Sequence, residues 1–269
     1  MKKRSFTVLV VSLLIFGGCF YSSTKPSVAQ SSNSQLFLVS ESEMDNAAAQ
    51  AYMVALNEAK AKNTLNKNEA QTKRVREISN RLIKQVGVFR DDALRWDWQV
   101  NVVNEDTINA WCMPGGKIVV YSGIIEKLSL SDDELAAIIG HEISHALREH
   151  SREKASIDLA KNAALSIGAS VLGLGQEGAN LANLATKYTI TLPFSRSNES
   201  EADAMGTELM ARAGFDPNAA IKLWQKMAKQ NANTPLEIAS THPSNDTRVR
   251  DLKQIVAKVE PLYKNAKKQ

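Results

Sequence analysis

Histidine and cysteine are both scarce in this sequence. Only two cysteines occur in 269 residues, and one of them, Cys19, lies in an N-terminal apolar segment, so stability is expected from packing and not from an intrachain disulfide. Only four histidines are present, so two of them at a metal-binding spacing are informative. With 43% hydrophobic residues, the chain can bury one substantial core.

The sequence also lacks an excess of charge. The formal charge of +4 comes from 33 basic and 29 acidic residues. Four of the basic residues lie within residues 1–29, which contain no acid: Lys2, Lys3, Arg4 and Lys25. Without that segment the chain is neutral, which excludes a nucleic-acid partner recognised by a basic surface.

The N-terminus predicts an exported protein. A basic start precedes an apolar run from Phe6 to Phe20, which is too short to span a bilayer comfortably and is typical of a secretory signal. Residues 1–29 form the predicted signal peptide if it is cut after Ala29. Alternatively, Gly17-Gly18-Cys19 resembles a lipobox that would make Cys19 a lipidated first residue, and an uncleaved anchor is a third alternative. We expect a bacterial periplasmic protein, free or lipid-anchored to the envelope membrane.

Composition and periodicity divide the rest of the chain. Residues 22–40 are rich in Ser, Gln and Asn and predict a tether, so that 30–40 is a linker before a domain at 41–262 and a basic tail at 263–269. Helices are expected in two segments of 41–86, over 123–128, from 132 past Arg148, and over 157–174, 198–213, 217–230 and 245–259. The segment 157–174 is expected to be a packed helix or a lid, with membrane association as the alternative. Strands are expected over 96–104 and 117–121, with Pro114-Gly115-Gly116 as the intervening turn.

The run His141-Glu-Ile-Ser-His145 is the most informative motif. Residues four apart on a helix project from one face, so both imidazoles point toward a common position, as a zinc ion requires. Glu142 flanks that position, as expected of a base that acts on a water molecule. Ser131 and Glu134 predict a capping box at the start of this helix, and its apolar first turns predict a buried central helix.

A catalytic zinc takes three protein ligands, and the segment Asn198-Glu-Ser-Glu-Ala-Asp203 offers three acids. On the predicted helix, Glu199 lies about 60° from the centre of the apolar face, whereas Asp203 and Glu201 lie about 100° from it on opposite flanks. Glu199 is therefore the expected third ligand, with Glu201 as the alternative. Asp203 is expected to support the site or carry a proton, and Glu201 has a second explanation in a capping box with Asn198.

The remaining histidines and Cys112 each have competing interpretations. His150 is about 180° from His141 around the predicted helix, so it is expected at the surface or behind the site and not on the metal. His242 either packs in the loop before Pro243 or enters the cleft, to stabilise an oxyanion or to occupy the water position in a closed state. Cys112 is expected to be a core thiol and not a nucleophile.

The strand at 117–121, or the segment just before it, is a candidate substrate-binding edge. An unpaired edge would let an extended polypeptide add as another strand. The alternative is an ordinary interior strand, which offers no such edge.

The motifs together resemble a known family. His141-Glu-Ile-Ser-His145 followed by Ser195-Arg-Ser-Asn-Glu199-Ser-Glu-Ala-Asp203 is similar to the membrane-associated gluzincins, which include the HtpX heat-shock protease, the CAAX prenyl endopeptidase and the Oma-type quality-control proteases. The segment from Asn109 through Gly116 to Gly123, and Thr241-His-Pro243 followed by Arg248, resemble the same family. The resemblance covers roughly residues 70–255, which is more specific than the histidine motif alone.

The resemblance implies a mostly helical α+β, zincin-like fold with a small sheet beside the active-site helix. It implies that His141, His145 and Glu199 bind one zinc ion and that Glu142 is the catalytic acid/base. By the same resemblance, Asp203 is a proton donor, with His242 and Arg248 as accessory residues. The several transmembrane helices of HtpX and the prenyl endopeptidase are absent, so the chain resembles the exported, single-domain, LoiP-like branch, for which prenylated substrates are not expected.

Two functions follow as hypotheses. The first is a zinc-dependent endopeptidase of the cell envelope that cuts unfolded or misassembled proteins, whose partners are extended polypeptides. The second is an envelope chaperone or assembly factor that holds clients in the metal-binding cleft and rarely cleaves them. A structural lipoprotein with an accidental motif would leave the matching acidic segment unexplained. The oligomeric state is not predicted.

Overall fold

The fold is described from a computed structural model over residues 20–29, 33–171, 186–233, 236–242 and 247–268. The predicted export segment up to residue 19 lies outside these ranges, as do Pro243, Ser244 and Asn245 before the last helix. None of the helices in the described ranges is both long and apolar enough to cross a bilayer.

Helices form most of the described chain, with short strands between them. The helices are α1 (Glu41–Ala61), α2 (Glu69–Ile83), α3 (Ser122–Lys127), α4 (Asp132–Leu147), α5 (His150–Val171), α6 (Arg196–Arg212), α7 (Asn218–Asn233), α8 (Glu237–Thr241) and α9 (Arg248–Ala266). The strands are β1 (Phe20–Tyr21), β2 (Gln35–Leu36), β3 (Gln99–Val103), β4 (Ala110–Met113) and β5 (Lys117–Tyr121). The predicted fold class, a mostly helical α+β arrangement with a small sheet beside the motif helix, is confirmed.

The central element is α4, which carries the histidine motif. Its capping box forms as predicted, because the Ser131 hydroxyl accepts from the Glu134 amide and the Glu134 carboxylate accepts from the Ser131 amide. Every residue from Glu134 to Leu147 is buried. The helix packs against α6, α7, β4 and α2, so it lies in the core, as its all-round apolar composition predicts.

The sheet has the strand order β3-β5-β4. Strand β3 is parallel to β5, and β4 is antiparallel to β5, so the segment 117–121 is interior, and the segment just before it forms one edge of the sheet while β3 forms the other. The hairpin turn has Gly115 and Gly116 at φ values of 73° and 82°, which glycine adopts without steric cost. Strand β4 was not predicted, because all four of its side chains are buried and leave no alternation to detect.

The prediction that the motif helix continues past Arg148 is wrong. Helix α4 ends at Leu147, and α5 begins at His150 after Glu149, which has a left-handed φ of 50°. The Glu149 carboxylate lies 2.9 Å from Arg152 and 3.3 Å from Arg90, and these ion pairs hold the turn. Glutamate is uncommon in this conformation, so the local sequence contains no stop signal.

The prediction of a tether over residues 22–40 is also wrong. Residues 20–29 and 33–39, here called the N-terminal strap, pack on the domain, and β1 pairs with β2. The guanidinium of the fully buried Arg148 donates to the Ser22 and Thr24 hydroxyls at 2.8 and 3.0 Å. The Ala29 amide donates to Glu208 at 2.9 Å. The polar residues of the strap therefore satisfy buried charges instead of forming a solvated linker.

The last helix differs from its prediction at its C-terminal end. Helix α9 continues through Pro261 to Ala266, so the segment expected to begin a basic tail at residue 263 is helical for most of its length. The local concentration of lysine there follows from the exposed face of a helix, since the buried positions after Arg248 are apolar: Leu252, Ile255, Val256 and Val259.

We predict that a chain beginning at residue 30 is less stable than one beginning at residue 20. The shorter chain loses two acceptors of the buried Arg148 and the amide bound to Glu208. Each unsatisfied buried group costs about 1–3 kcal/mol, so the thermal midpoint should fall by roughly 5–10 °C. Circular dichroism measures it.

The control is Lys25→Ala in the longer chain. Lys25 belongs to the strap, and its side chain forms an exposed ion pair with Asp91, which contributes little to stability. The substitution keeps the backbone amide of residue 25, which donates to the Phe89 carbonyl at 2.9 Å. Equal midpoints for the two lengths of chain would show that the strap does not stabilise the domain.

Candidate metal centre

Four side chains from three segments converge in one buried cluster. They are His141 and His145 from α4, Glu199 from α6 and His242 from the end of α8, and one ligand atom of each lies within 4.8 Å of the others. The Nε2 atoms of His141 and His145 are 3.1 Å apart. His242 Nδ1 is 3.3 Å from His141 Nε2 and 3.0 Å from Glu199 Oε1. The structure therefore brings together the three predicted ligands and adds His242.

The close approach of α4 and α6 makes this convergence geometrically feasible. Gly140 and Gly206 face each other where the helices cross, and a Cβ on Gly206 would lie 2.8 Å from the backbone nitrogen of His141. Without side chains at the crossing, the first turn of α6 reaches the histidine face of α4. Glu199 is in that turn, so its carboxylate enters the cluster.

The two competing acids of the same helix lie elsewhere. Glu201 forms an ion pair with Arg148 at 2.7 Å and lies 3.3 Å from His150 Nε2, so it faces away from the cluster. Its predicted capping role is wrong, because the cap of α6 is Ser195 and its capping box is formed with Asn198. The helix begins earlier than predicted, which places Glu201 beyond the capping positions.

Asp203 and Arg248 lie behind the cluster. Asp203 Oδ1 is 3.0 Å from His141 Nδ1 and accepts from Arg248 Nη2 at 2.7 Å. Arg248 Nη1 is 3.1 Å from Glu199 Oε2, and its guanidinium lies 3.2 Å from the centre of the Trp224 ring. Asp203 thus contacts the outer nitrogen of His141, while Arg248 connects both acids.

Glu142 lies beside the cluster and not within it. One of its carboxylate oxygens is 3.3 Å from His242 Nε2. Burial raises the pKa of Glu142, although the nearby His242 and His141 oppose the shift. A carboxyl group with a raised pKa can both accept and return a proton near neutral pH.

The two motif histidines have opposite electrostatic environments. Burial lowers the pKa of His141, but the carboxylates of Asp203 and Glu199 outweigh it and raise the pKa to about 9. Burial lowers the pKa of His145 well below its usual range, and His141 adds to the effect. Burial opposes the ionised form of Glu199, yet His242 and His141 hold its pKa far below normal. The lowered pKa favours the ionised form of Glu199, which is the form that binds a metal ion.

The donor set fits a metal ion. Imidazole nitrogens and a carboxylate oxygen point toward one another in a buried space, which is the ligand chemistry of zinc and related transition metals. Glu142 Oε1 and Glu199 Oε2 accept no well-aligned hydrogen bond within the described part of the chain, although Arg248 Nη1 lies 3.1 Å from the latter. Buried carboxylate oxygens of this kind are costly unless a cation compensates them.

Sequence reasoning missed one neighbour of the cluster, Phe194, and left His150 either at the surface or behind the site. Phe194 stacks on His145 with ring centres 4.0 Å apart and also contacts His242, but nothing in the local sequence distinguishes it from a core residue. His150 contacts His145 because the helix breaks before it. Cys112 is buried, and burial raises the pKa of its thiol well above normal, which agrees with the expected core thiol.

Comparison with known proteins identifies the family. The model of peptidase family M48 matches residues 69–256, which include every member of the cluster. The chain belongs to peptidase family M48. The predicted resemblance to the family of the HtpX and Oma-type proteases is confirmed, and the M48 match makes this a metallopeptidase domain.

Among its M48 relatives are mitochondrial and bacterial proteins. The mitochondrial metalloendopeptidase OMA1 of Schizosaccharomyces pombe is 38% identical over 159 residues, which are 58% of this chain and 46% of that protein. OMA1 of Arabidopsis thaliana is 40% identical over 157 residues, 58% of this chain and 31% of its own length. The beta-barrel assembly-enhancing protease of Yersinia pestis is 30% identical over 200 residues, 71% of this chain and 40% of its own. The chain thus spans less than half the length of these relatives.

We predict that Gly206→Ala destabilises the M48 domain and weakens metal binding. The added methyl would lie 2.8–2.9 Å from backbone atoms of Gly140 and His141, so α4 and α6 must separate. Overpacking of this kind costs about 1–3 kcal/mol, which urea denaturation measures, and metal content after dialysis should fall.

Ser200→Ala, at an exposed position of the same helix, serves as the control and should change neither quantity. Unaltered stability of the Gly206→Ala protein would contradict the backbone-to-backbone crossing of the two helices.

Proposed function

We propose that the protein is a zinc-dependent endopeptidase of the cell envelope that hydrolyses peptide bonds in unfolded or misassembled proteins. The observation that carries the proposal is the buried convergence of His141, His145 and Glu199. Two histidines and one glutamate are a known ligand set of catalytic zinc. Membership of family M48 supports the same chemistry.

Glu142 is the proposed acid/base. When bound, zinc polarises a peptide carbonyl and lowers the pKa of a water molecule. Glu142 adjoins the cluster through His242, and its raised pKa suits a group that accepts a proton from water and returns it to the leaving amine. Asp203 was expected to donate a proton, and its contact with the outer nitrogen of His141 supports an orienting role as well.

Strand β4 is the proposed substrate-binding edge. It pairs with β5 on one side, and within the described ranges no strand pairs with its other side. Its four residues are buried and the segment Thr186–Thr191 packs against it, so pairing with a substrate requires that segment to move away. It also packs against α4, so a polypeptide added along it would run beside the histidine helix. Pairing through the main chain requires an extended segment and tolerates many sequences, which favours unfolded or misassembled proteins as substrates.

The proposed location rests on two further observations. The apolar segment after Met-Lys-Lys-Arg is typical of an export signal. Several relatives are named beta-barrel assembly-enhancing protease, and by that name they act in the assembly of β-barrel proteins. Both support a place in the bacterial envelope, periplasmic or lipid-anchored through Cys19.

A chaperone or assembly factor with little proteolysis is the second candidate. The observation that favours it is the position of His242, whose ring lies between Glu199 and Glu142 and is buried. We propose that His242 occupies the water position in a closed, resting state. A chain held permanently in that state would bind clients without cleaving them.

Replacement of Glu142 tests the enzymatic proposal. Glu142→Gln should retain zinc, because the three ligands are unchanged, but should lower the rate of casein hydrolysis by roughly 10²–10⁴-fold. A chelator should abolish hydrolysis by the wild type. Hydrolysis is measured by release of soluble fluorescent peptides.

The matched control is Glu126→Gln, an exposed acid on α3, which should leave hydrolysis unchanged. Proteolysis by the Glu142→Gln protein at the wild-type rate would refute the acid/base assignment. A wild type that binds zinc, prevents aggregation and cleaves nothing would favour the chaperone.

His242→Ala separates the two functional interpretations of that residue. If His242 closes the site, its removal exposes the water position and casein turnover should rise. If it stabilises an oxyanion, kcat should fall by roughly 10²–10³-fold. Zinc content is measured alongside, so that a loss of metal is not mistaken for either effect. A fall in kcat at full zinc content would contradict the closed state.

A further inference from the structure

His150 lies directly behind the predicted ligand His145. The two Nδ1 atoms are 2.9 Å apart, and the rings meet edge to face at 73° with centres 4.9 Å apart. His150 is fully buried. Its other nitrogen, Nε2, is 3.3 Å from Glu201 Oε2. A single imidazole therefore connects the cluster to a carboxylate on α6.

Glu201 is in turn held by a buried cation. Arg148 Nε donates to Glu201 Oε2 at 2.8 Å, and Asn33 Nδ2 donates to Glu201 Oε1 at 2.6 Å. The remaining donors of Arg148 reach Ser22, Thr24 and the Asn33 carbonyl of the N-terminal strap. We call His150, Glu201 and Arg148 the outer relay. Arg148, its member farthest from the cluster, is hydrogen-bonded to the strap.

Proton positions in this relay follow from the hydrogen-bond pattern. The Nε2 atom of His145 faces the cluster, so a ligand lone pair there leaves the ring hydrogen on Nδ1. That hydrogen can be accepted only if His150 Nδ1 is unprotonated. His150 then carries its own hydrogen on Nε2, where Glu201 accepts it. The Glu201 carboxylate thus selects the tautomer of His150, and His150 in turn selects the tautomer of His145.

We propose that His150 is a positioning residue that holds His145 in its metal-binding tautomer and orientation, with Glu201 and Arg148 fixing His150. The inference rests on the proposed binding of a metal by His145. It assigns a role to His150, which the helical spacing placed away from the metal, and to Glu201, whose carboxylate does not enter the cluster. Partners of ligand imidazoles commonly change metal affinity by 10–100-fold.

The two ligand histidines would then be oriented by different chemistry. The outer nitrogen of His141 faces the Asp203 carboxylate directly, whereas that of His145 faces a second imidazole. The break at Glu149 makes the contact between His150 and His145 possible, because on a continuous helix His150 would point away from the histidine motif. The ion pairs of Glu149 with Arg90 and Arg152 therefore support the relay as well as the turn.

The test uses the full chain with Zn²⁺ and Co²⁺ as probes. Zn²⁺ affinity is measured by competition with a chromophoric chelator, and the ligand field by the visible spectrum of the Co²⁺ protein. His150→Phe keeps a ring but removes both nitrogens, so Zn²⁺ affinity should fall by roughly 10–100-fold and the Co²⁺ bands should shift. His150→Asn retains an acceptor for His145 and should lie between Phe and wild type.

Ser151→Ala is the matched control. Ser151 is also buried at the start of α5, but its hydroxyl bonds to Thr189 and not to the relay. It should lower the thermal midpoint while leaving Zn²⁺ affinity and the Co²⁺ spectrum unchanged. If His150→Phe does not fold, the Zn²⁺ affinity and Co²⁺ spectrum of His150→Asn are compared with those of Ser151→Ala. Weaker Zn²⁺ binding and shifted Co²⁺ bands in His150→Asn alone support the relay.

Two failures are distinguishable. Wild type that binds neither ion overturns both the proposed function and this inference. Wild type that binds both ions, with His150 variants equal to it in affinity and spectrum, overturns the relay alone. His150 variants that are less stable but bind Zn²⁺ as tightly as the wild type also overturn the relay, because His150 would then have a packing role only.

Discussion

The site depends on one steric feature, the crossing of two helices without side chains between them. Gly140 on α4 and Gly206 on α6 allow backbone to approach backbone. The distance between the two helix backbones decides whether the first turn of α6 can place Glu199 among the imidazoles of α4. Each helix alone carries an incomplete donor set, so the candidate metal centre is a property of their packing.

A second constraint is the amount of charge buried around this crossing. Arg148, Glu149, Glu199, Asp203 and Arg248 are all buried, and an unpaired charge there would be strongly destabilising. Their partners come from widely separated segments. Arg248 of α9 forms ion pairs with Glu199 and Asp203, while hydroxyl groups of the N-terminal strap accept hydrogen bonds from Arg148. The strap precedes the residues that the M48 model matches, yet it completes the same network.

Local signals predicted much of the fold. The capping box at Ser131 located the start of α4, because a cap acts within one turn of chain. Strand β4 was missed, because burial on both faces removes the alternation by which strands are detected. The strap was read as a tether, because a sequence of Ser, Asn and Gln has the same composition whether it is solvated or binds a buried arginine.

The sequence by itself determined the face that His141 and His145 share and the acid that joins them, because helical periodicity fixes which residues lie on one side. It did not determine His150 or Glu201. A left-handed residue at Glu149, paired with Arg90 far away in sequence and with Arg152 three residues later, ended α4 and brought His150 against His145. His242 entered the cluster by the same kind of long-range packing. Periodicity acts over a few residues, whereas these contacts require the assembled core.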